Sequence, residues 1–346
     1  MGEVTIKELA KICGVGVSTI SRAINNHPDI NLETKEMVLQ KAKEVGYVPN
    51  NSARNLKRTD SKSVAVLVKG ITNPFFTEMI KIIEIECKSR RYSMYLQHVD
   101  SEENEVDVAQ EMIKEKRLRG IVFLGGLYAH SEDKLAKLTV PYVFSTAGMI
   151  PQNYDQQLYS SITINDRKES CRMVEYLIGL GHKRIAIIVA DHEEESIGML
   201  RLKGYMDALK KHDIELDEEL IISADFDKEN FTMKNGYRAM NKLLSKKIEF
   251  TAVYAVSDTL AIGAMRALHD ANLSVPEQVS VAGYDGLDMI SYIVPSITTI
   301  KQPTEKMAHD TMNLLFDIIT GNTSPQHIRY DGEILVNEST GPVRKE

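Results

Sequence analysis

Residues 4–25 read VTIKELAKICGVGVSTISRAIN, and this stretch decides the fold of the N-terminal part of the chain. Thr5 followed three residues later by Glu8 is a capping box, the pattern that begins a helix. Gly14 can adopt a positive φ and marks a tight turn, after which a second helix begins at Val17. Two short helices joined across a glycine turn predict a helix-turn-helix.

A third helix is predicted after the helix-breaking residues 25–29, NNHPD. Asn31 occupies the N-cap position, Gly46 ends the helix, and Val38 and Ala42 fall on its inward face. The first part of the chain is therefore expected to be a small all-α helix-turn-helix head.

Charge is distributed unevenly along the chain. The 346 residues have a net charge of −7, which taken alone argues against a nucleic-acid partner. Residues 1–60, however, contain nine basic and seven acidic side chains, whereas the remainder has a net charge of −9. The head is thus slightly basic, and the acidic balance belongs to the body.

Composition also indicates where the protein works. No segment approaches the roughly 18 consecutive apolar residues of a transmembrane helix, and the acidic Glu3 near the N-terminus is unlike a secretory signal. The three cysteines, Cys13, Cys87 and Cys171, are far apart and odd in number, so no disulfide framework is expected. These features predict a cytoplasmic protein that does not associate with membranes.

From Ser63 onward, short apolar runs alternate with amphipathic helical stretches. The predicted strands are Val64–Val68, Ser93–Val99, Gly120–Leu124, Tyr142–Phe144, Ile162–Ile164, Arg184–Val189, Ala252–Val256 and Val279–Gly283. The predicted helices include residues 74–90, 104–116, 167–180, 198–211, 230–245 and 258–271. Alternation of this kind predicts an α/β body of parallel sheets with helices on both faces.

Motifs along the chain resemble the lactose/galactose repressor family of bacterial transcription factors. They are Val4-Thr5-Ile6-x-x-Leu9-Ala10, Gly14-Val15, Ser18-Thr19-Ile20-Ser21-Arg22-Ala23-Ile24-Asn25, Gly46-Tyr47-Val48-Pro49-Asn50 and Ala53-Arg54-x-Leu56. The resemblance implies a DNA-binding head at 1–48, a hinge helix or linker at 49–61, and a tail at 341–346. Between them, residues 62–340 are expected to form an effector-binding and dimerisation core of two interleaved Rossmann-like subdomains of the periplasmic-binding-protein type.

The helix-turn-helix predicts which side chains meet DNA. A recognition helix enters the major groove by its N-terminal end, which places Val17, Ser18 and Arg22 at base edges. By the resemblance, Leu56 is expected to insert between base pairs in the minor groove. Gly16 departs from the family, which usually has a serine there. Contacts with the DNA backbone are expected from Thr5, Thr19, Ser21, Asn25, Tyr47, Asn50 and Arg54.

Effector residues are expected where strands end and helices begin, because ligands bind there in such folds. Arg201 and Asp285 match family residues that bind effector hydroxyls. The full predicted set is Asn73, Phe75, Ser145, Arg201, Ser257, Asp258 and Asp285. Two alternatives stay open: Phe75 is either a sugar-stacking ring or a core residue, and Asp258 is either a helix cap or a ligand contact. Asp166 with Glu169 suggests first another capping box and second a ligand contact.

Other classes of function are weighed against this reading. No HExxH, Walker loop, nucleophile elbow or paired-cysteine metal motif occurs, so neither an enzyme nor a metal or cofactor site is expected. A secreted sugar-binding protein shares the body fold but lacks such a head.

The expected protein is a transcriptional regulator, specifically a repressor, that binds a palindromic operator as a homodimer. Its expected effector is a small carbohydrate. The alternative is a phosphorylated carrier protein, as in the catabolite-control branch of the family.

Overall fold

The chain was analysed as a computed structural model that describes residues 4–24, 27–47, 62–127, 129–146, 159–190, 196–224 and 231–344. It divides into two compact units, Met1–Ser61 and Lys62–Glu346, which are called the head and the body below.

The head contains three helices, α1 (Ile6–Cys13), α2 (Val17–Ile24) and α3 (Leu32–Glu44). The predicted capping box is present, since the Thr5 hydroxyl accepts from Glu8 N and Thr5 N donates to the Glu8 carboxylate. Asn31 caps α3, as predicted. The three helices are held together by a small core whose fully buried members are Leu9, Ile20 and Val38.

The body alternates strands and helices. Its strands are β1 (Ser63–Lys69), β2 (Ser93–Val99), β3 (Gly120–Leu124), β4 (Tyr142–Ser145), β5 (Ser160–Ile164), β6 (Ile185–Val189), β7 (Ile221–Ser223), β8 (Ala252–Ala255), β9 (Ser280–Asp285), β10 (Thr298–Lys301), β11 (His327–Tyr330) and β12 (Glu333–Leu335). Its α-helices are α4 (Phe75–Ser89), α5 (Glu105–Lys116), α6 (Glu132–Leu135), α7 (Asp166–Gly179), α8 (Ile197–Lys211), α9 (Met233–Ser245), α10 (Asp258–Asp270) and α11 (Thr304–Thr320). Short 3-10 helices span Glu218–Leu220 and Asp288–Tyr292.

Two six-stranded sheets define two lobes of the body. The strand order is β11-β5-β4-β3-β1-β2 in the first lobe and β12-β10-β9-β8-β6-β7 in the second. All described pairings are parallel except that of β12 with β10. This arrangement confirms the predicted α/β class with two subdomains.

Alternation along β1 shows how the first lobe forms two cores. Val64, Val66 and Val68 are buried on one face of the sheet, against α4 and α11. Ala65 and Leu67 are buried on the other face, against α5. A strand with five consecutive apolar residues, 64–68, is therefore covered on both sides, as parallel sheets require.

Helices of the second lobe pack in pairs, α7 against α8 and α9 against α10, around one continuous core. In the second pair, a Cβ atom on Gly236 would overlap backbone of Leu260, and one on Gly263 would overlap the carbonyl oxygen of Met233. The two glycines thus allow the helix backbones to approach closely.

The chain passes between the lobes three times, at 164–166, 301–304 and 330–333. The first lobe is therefore completed by α11 and β11, which come from the far end of the sequence. Helices α6 and α11 and strands β7 and β10–β12 are not among the elements predicted above. The three late strands have three or four residues each, with one apolar residue in β10 (TTIK) and two in each of β11 (HIRY) and β12 (EIL), so their apolar signal is weak.

Two sequence-based expectations concern the environment of the chain. Across the described ranges, no helix is long and apolar enough to cross a membrane. Cys13, Cys87 and Cys171 are all free thiols, and Cys87 is buried.

The close approach of α9 and α10 leads to a prediction. Gly263→Ala should lower the free energy of unfolding of the body by about 1–3 kcal/mol, because the backbones must separate to admit the methyl group. The measurement is urea unfolding followed by circular dichroism. Gly179→Ala is the matched control: a Cβ there meets nothing within 4 Å, so its stability should be unchanged or slightly higher. Equal stability of the two variants would contradict the packing described.

Candidate functional site

The second helix of the head presents a polar outer surface. Val17, Ser18 and Arg22 are exposed on α2, and Val17 keeps 42% of its surface accessible. Ile20 and Ala23 of the same helix are buried against the rest of the head. The three residues predicted to meet base edges thus share one accessible surface, which begins at the N-terminal end of the helix.

Residues predicted to meet the DNA backbone differ in their surroundings. Thr19 and Ser21 are half-buried on α2, and Tyr47 packs beside the core of the head, where burial raises the pKa of its phenol. The Thr5 hydroxyl is already hydrogen-bonded to Glu8 within the capping box. Four further predicted contacts lie outside the described residues and stay predictions: Asn25, Asn50, Arg54 and Leu56.

In the body, polar side chains converge at the carboxyl ends of the parallel strands. The strand order reverses between β1 and β3 in the first sheet and between β6 and β8 in the second, and such switch points are where α/β sheets form ligand sites. The converging residues follow β1, β8 and β9 and lie on α7 and α8.

Arg201 is the centre of this group. Its guanidinium is buried, with Nε 2.9 Å from Asp166 Oδ1 and Nη1 2.5 Å from the carbonyl oxygen of Val256. Nη1 is also 3.5 Å from Asp285 Oδ1, and Cζ lies 3.6 Å from the centre of the Tyr284 ring, a cation–π contact. Two carboxylates, a carbonyl and a ring face therefore surround one cation.

Asp285 connects the lobes. It ends β9 in the second lobe, and its Oδ2 accepts from Asn73 Nδ2 of the first lobe at 3.4 Å. Its Oδ1 accepts from Gln302 Nε2, in the 301–304 crossover, at 3.0 Å. The backbone of Asp285 has a φ of 118°, a conformation that residues other than glycine rarely adopt. Such conformations cluster at functional sites.

Asp258 holds the backbone that directly follows Asp285. One of its carboxylate oxygens accepts from Gly286 N and Leu287 N, each at 2.8 Å, and the other accepts from the Thr299 hydroxyl at 2.6 Å. Ser257, not Asp258, caps α10. Asp258 thus fixes the turn that follows β9, so its hydrogen bonds are made inside the second lobe.

Burial dominates the ionisation of this group. It raises the pKa of Asp166, although the charge of Arg201 opposes the change. Burial likewise raises the pKa of Asp285 to about 6, against the opposing effect of Arg201, and burial together with the charge of Asp285 raises that of Asp258 to about 8. For Arg201, burial lowers the pKa, but Asp166 and Asp285 outweigh it and the net shift is upward.

The remaining predicted effector residues lie at strand ends or helix starts but contact other partners. The ring of Phe75 is buried in the core of the first lobe and packs edge-on against Phe76, with centroids 5.4 Å apart. This is the core alternative left open for Phe75. The Ser145 hydroxyl is 2.8 Å from that of Thr311, and the Ser257 hydroxyl caps α10.

Three members of the group were not among the predicted effector residues: Asp166, Tyr284 and Gln302. The capping-box interpretation of Asp166 was wrong, because Asn165 caps α7 and Asp166 pairs with Arg201. Gln302 precedes a proline that begins a helix, and this polar residue could have been found once β10 was predicted. The described residues contain no cluster of three or more side chains that could hold a metal ion.

The buried cation leads to a prediction. Arg201→Met should cost about 3–5 kcal/mol of stability, because Asp166 and Asp285 lose their buried counter-charge. Without the guanidinium both carboxyl groups favour their protonated form, so the loss should be smaller at pH 5 than at pH 8. Urea unfolding at both pH values measures it.

Arg167→Met is the matched control, because Arg167 pairs with Asp207 at the surface, where the side chains are 53% and 39% exposed. It should cost less than about 1 kcal/mol. A loss for Arg201→Met no larger than that of the control would show that the buried charges do not depend on one another.

Models of known protein families match parts of both the head and the body. The model of bacterial regulatory proteins of the lacI family matches residues 5–50, and that of the periplasmic binding protein-like domain matches residues 174–340. The HTH-type transcriptional regulator MalR of Clostridium butyricum is 40% identical over 336 residues, which cover 96% of this chain and 98% of the relative.

Solved structures agree with this assignment. The transcriptional regulator CelR in complex with cellobiose is 29% identical, with a TM-score of 0.68, over 97% of this chain and 100% of that chain. The lac repressor dimer bound to operator and the anti-inducer ONPF is 22% identical and shares the fold, with a TM-score of 0.75 over 98% and 100% of the two chains. The chain belongs to the lacI family of bacterial regulatory proteins.

Proposed function

We propose that the protein is a transcriptional repressor whose affinity for a palindromic operator is controlled by an uncharged sugar bound between the two lobes. The observation that supports this most directly is the polar group around Arg201, which joins residues of both lobes through Asp285. The helix-turn-helix supplies the DNA-binding part, and a homodimer matches the two-fold symmetry of a palindrome. A regulator of this kind acts on chromosomal DNA, so the proposed location is the cytoplasm and the proposed role is not catalytic.

DNA recognition is assigned to α2. Arg22 can donate two hydrogen bonds to a guanine, whereas the hydroxyl of Thr19 suits a phosphate oxygen. The first kind of contact distinguishes bases and the second positions the helix. Leu56 and the other residues of the proposed hinge are assigned to the minor groove, as the family resemblance implies.

Arg22→Ala should weaken operator binding by about 1–3 kcal/mol and relax the preference at one base pair. The operator is first selected from random duplex DNA with the purified protein, and binding to single-base variants is then measured by fluorescence anisotropy. Thr19→Ala is the control and should weaken binding to all variants equally. A uniform loss for Arg22→Ala as well would remove this residue from base recognition.

The nature of the effector is inferred from charge. Around Arg201, Asp166 and Asp285 already supply two carboxylates for one guanidinium, and the cation makes further contacts with Val256 O and the Tyr284 ring. Among the residues that the structure describes here, an anionic ligand would meet no spare positive charge, and it would approach buried carboxylates. The hydroxyl groups of a neutral sugar can instead donate to Asp285 and accept from Arg201 or Asn73.

The mechanism follows from the contact between Asn73 and Asp285. A sugar hydroxyl that binds Asp285 competes with the Asn73 amide for the same carboxylate, so occupancy changes how the lobes meet. If the two lobe arrangements differ in operator affinity, the sugar shifts the population between them. The CelR–cellobiose complex shows that a relative with this fold binds a neutral disaccharide. The relatives found do not favour the alternative effector, a phosphorylated carrier protein.

A panel of neutral and anionic sugars tests the proposed class of effector. Glucose, ribose, maltose and cellobiose are compared with glucose 6-phosphate and glucuronate, by thermal shift of the full chain and by anisotropy of bound operator. At least one neutral sugar should raise the melting temperature and change operator affinity. Both anionic sugars should bind at least about 100-fold more weakly than that neutral sugar, a difference of about 2.7 kcal/mol. Tighter binding of an anionic sugar, or a response to a phosphorylated carrier protein alone, would overturn the assignment.

A further inference from the structure

A second connection between the lobes lies away from Arg201. Leu127, which follows β3 in the first lobe, forms an isolated antiparallel bridge with Ser196 of the second lobe. Ser196 is the N-cap of α8, with its hydroxyl accepting from Met199 N at 3.3 Å. Arg201 lies on this same helix. The bridge therefore joins the first lobe directly to the start of the helix that holds the central cation.

A buried glutamate holds the first-lobe partner of this bridge. Oε1 of Glu105, at the start of α5, accepts from Leu127 N at 2.8 Å. The neighbouring Gly126 has a φ of 97°, and a Cβ atom there would overlap the Glu105 carboxylate. The loop after β3 is thus shaped around this carboxylate and cannot approach it with any larger residue at position 126.

The carboxylate of Glu105 is kept ionised by its surroundings. Only 2% of the residue is exposed. Its Oε1 lies 3.3 Å from His130 Nε2, and its Oε2 lies 3.8 Å from Lys69 Nζ. Burial raises the pKa of Glu105, but His130 and Lys69 outweigh that effect, so the net pKa lies below its usual value. The His130 ring is itself stacked on Phe144, with centroids 5.2 Å apart. A charged acceptor is therefore fixed in place beneath Leu127.

We propose that Glu105 is a positioning residue for lobe closure, which holds Leu127 in register with Ser196 so that the first lobe engages the start of α8. A hydrogen bond to a charged acceptor is strong enough to determine the population of such a contact. The link to gene regulation rests on the proposed function, but closure itself can be measured without effector or DNA.

Cysteine crosslinking measures this closure. Residues opposed in an antiparallel bridge have Cα atoms within disulfide range, so the full-length Leu127→Cys/Ser196→Cys variant should form an intramolecular disulfide with oxidised glutathione. The product is identified by peptide mass spectrometry and its rate by thiol counting. Each single-cysteine variant reports any pairing with the native cysteines. Failure of the double variant to crosslink faster than the single variants would overturn the proposal.

Glu105 is then changed in the double-cysteine background. Glu105→Ala should slow crosslinking at least about tenfold, because Leu127 N loses its charged acceptor. Glu105→Gln keeps an acceptor oxygen and should restore the rate to within about threefold of the parent. Glu105→Met keeps a side chain of similar length without an acceptor oxygen, so it should slow crosslinking as Glu105→Ala does and tests the proposal if Glu105→Ala does not fold.

Glu86→Ala is the matched control. Glu86 lies in the same lobe and contacts Arg90 and His309, but none of these residues takes part in the bridge. It should leave the crosslinking rate unchanged. Equal rates for Glu105→Ala and the parent, or equal slowing by Glu86→Ala, would overturn the role of Glu105. If Glu105 behaves as expected and no sugar alters operator binding, the proposed function fails and the positioning role stands.

Discussion

The buried positive charge of Arg201 is the constraint on which the centre of the body depends. A guanidinium removed from water is tolerated only where acceptors replace its hydration. Here they come from separate elements: Asp166 at the start of α7, the Val256 carbonyl after β8 and Asp285 at the end of β9. The ends of these elements must therefore meet at one place.

Asp285 extends that constraint beyond the second lobe. Because it also accepts from Asn73 and Gln302, the position of the first lobe and of one crossover depends on the same carboxylate. A change at the Asp285 carboxylate therefore alters contacts of both lobes, which is the property that a ligand-controlled protein needs. The strained backbone of Asp285 is compatible with this role, since such conformations persist only where their surroundings hold them.

The sequence predicted most of the elements with strong patterns and missed those with weak ones. The three described helices of the head could be derived from Thr5, Glu8, Gly14 and Asn31, because capping and turn signals are local. Long apolar strands such as β1 were predicted because a run of apolar residues is likewise a local signal. Strands β10–β12 were not predicted, since they are only three or four residues long and the partner of β11 lies 166 residues earlier in the chain. Helix α11 was missed although its apolar residues, such as Met307, Leu314 and Leu315, recur at helical spacing.

The same distinction applies to the site. Arg201 and Asp285 were identified from family motifs at strand ends and helix starts, and the structure brings them together. The roles of Asp166 and Asp258 could not be read from the sequence, because one carboxylate near a helix start can cap the helix, bind a ligand or neutralise a buried cation. Only the position of Arg201, and of the amides after β9, distinguishes these cases. The residues that support a site depend on tertiary contacts more than on local spacing.

The three crossovers also order the assembly of the body during synthesis. Residues 166–301 contain five of the six strands of the second lobe in one continuous segment, so that lobe can nearly complete its sheet as it leaves the ribosome. The first lobe emerges earlier but must wait for α11, whose buried Met307 and Leu315 fill its core. Until residue 320 is made, the apolar face that α11 covers stays open to solvent. The lobe whose synthesis begins first is therefore the one whose core is covered later, and it is the part of the nascent chain most in need of protection from aggregation.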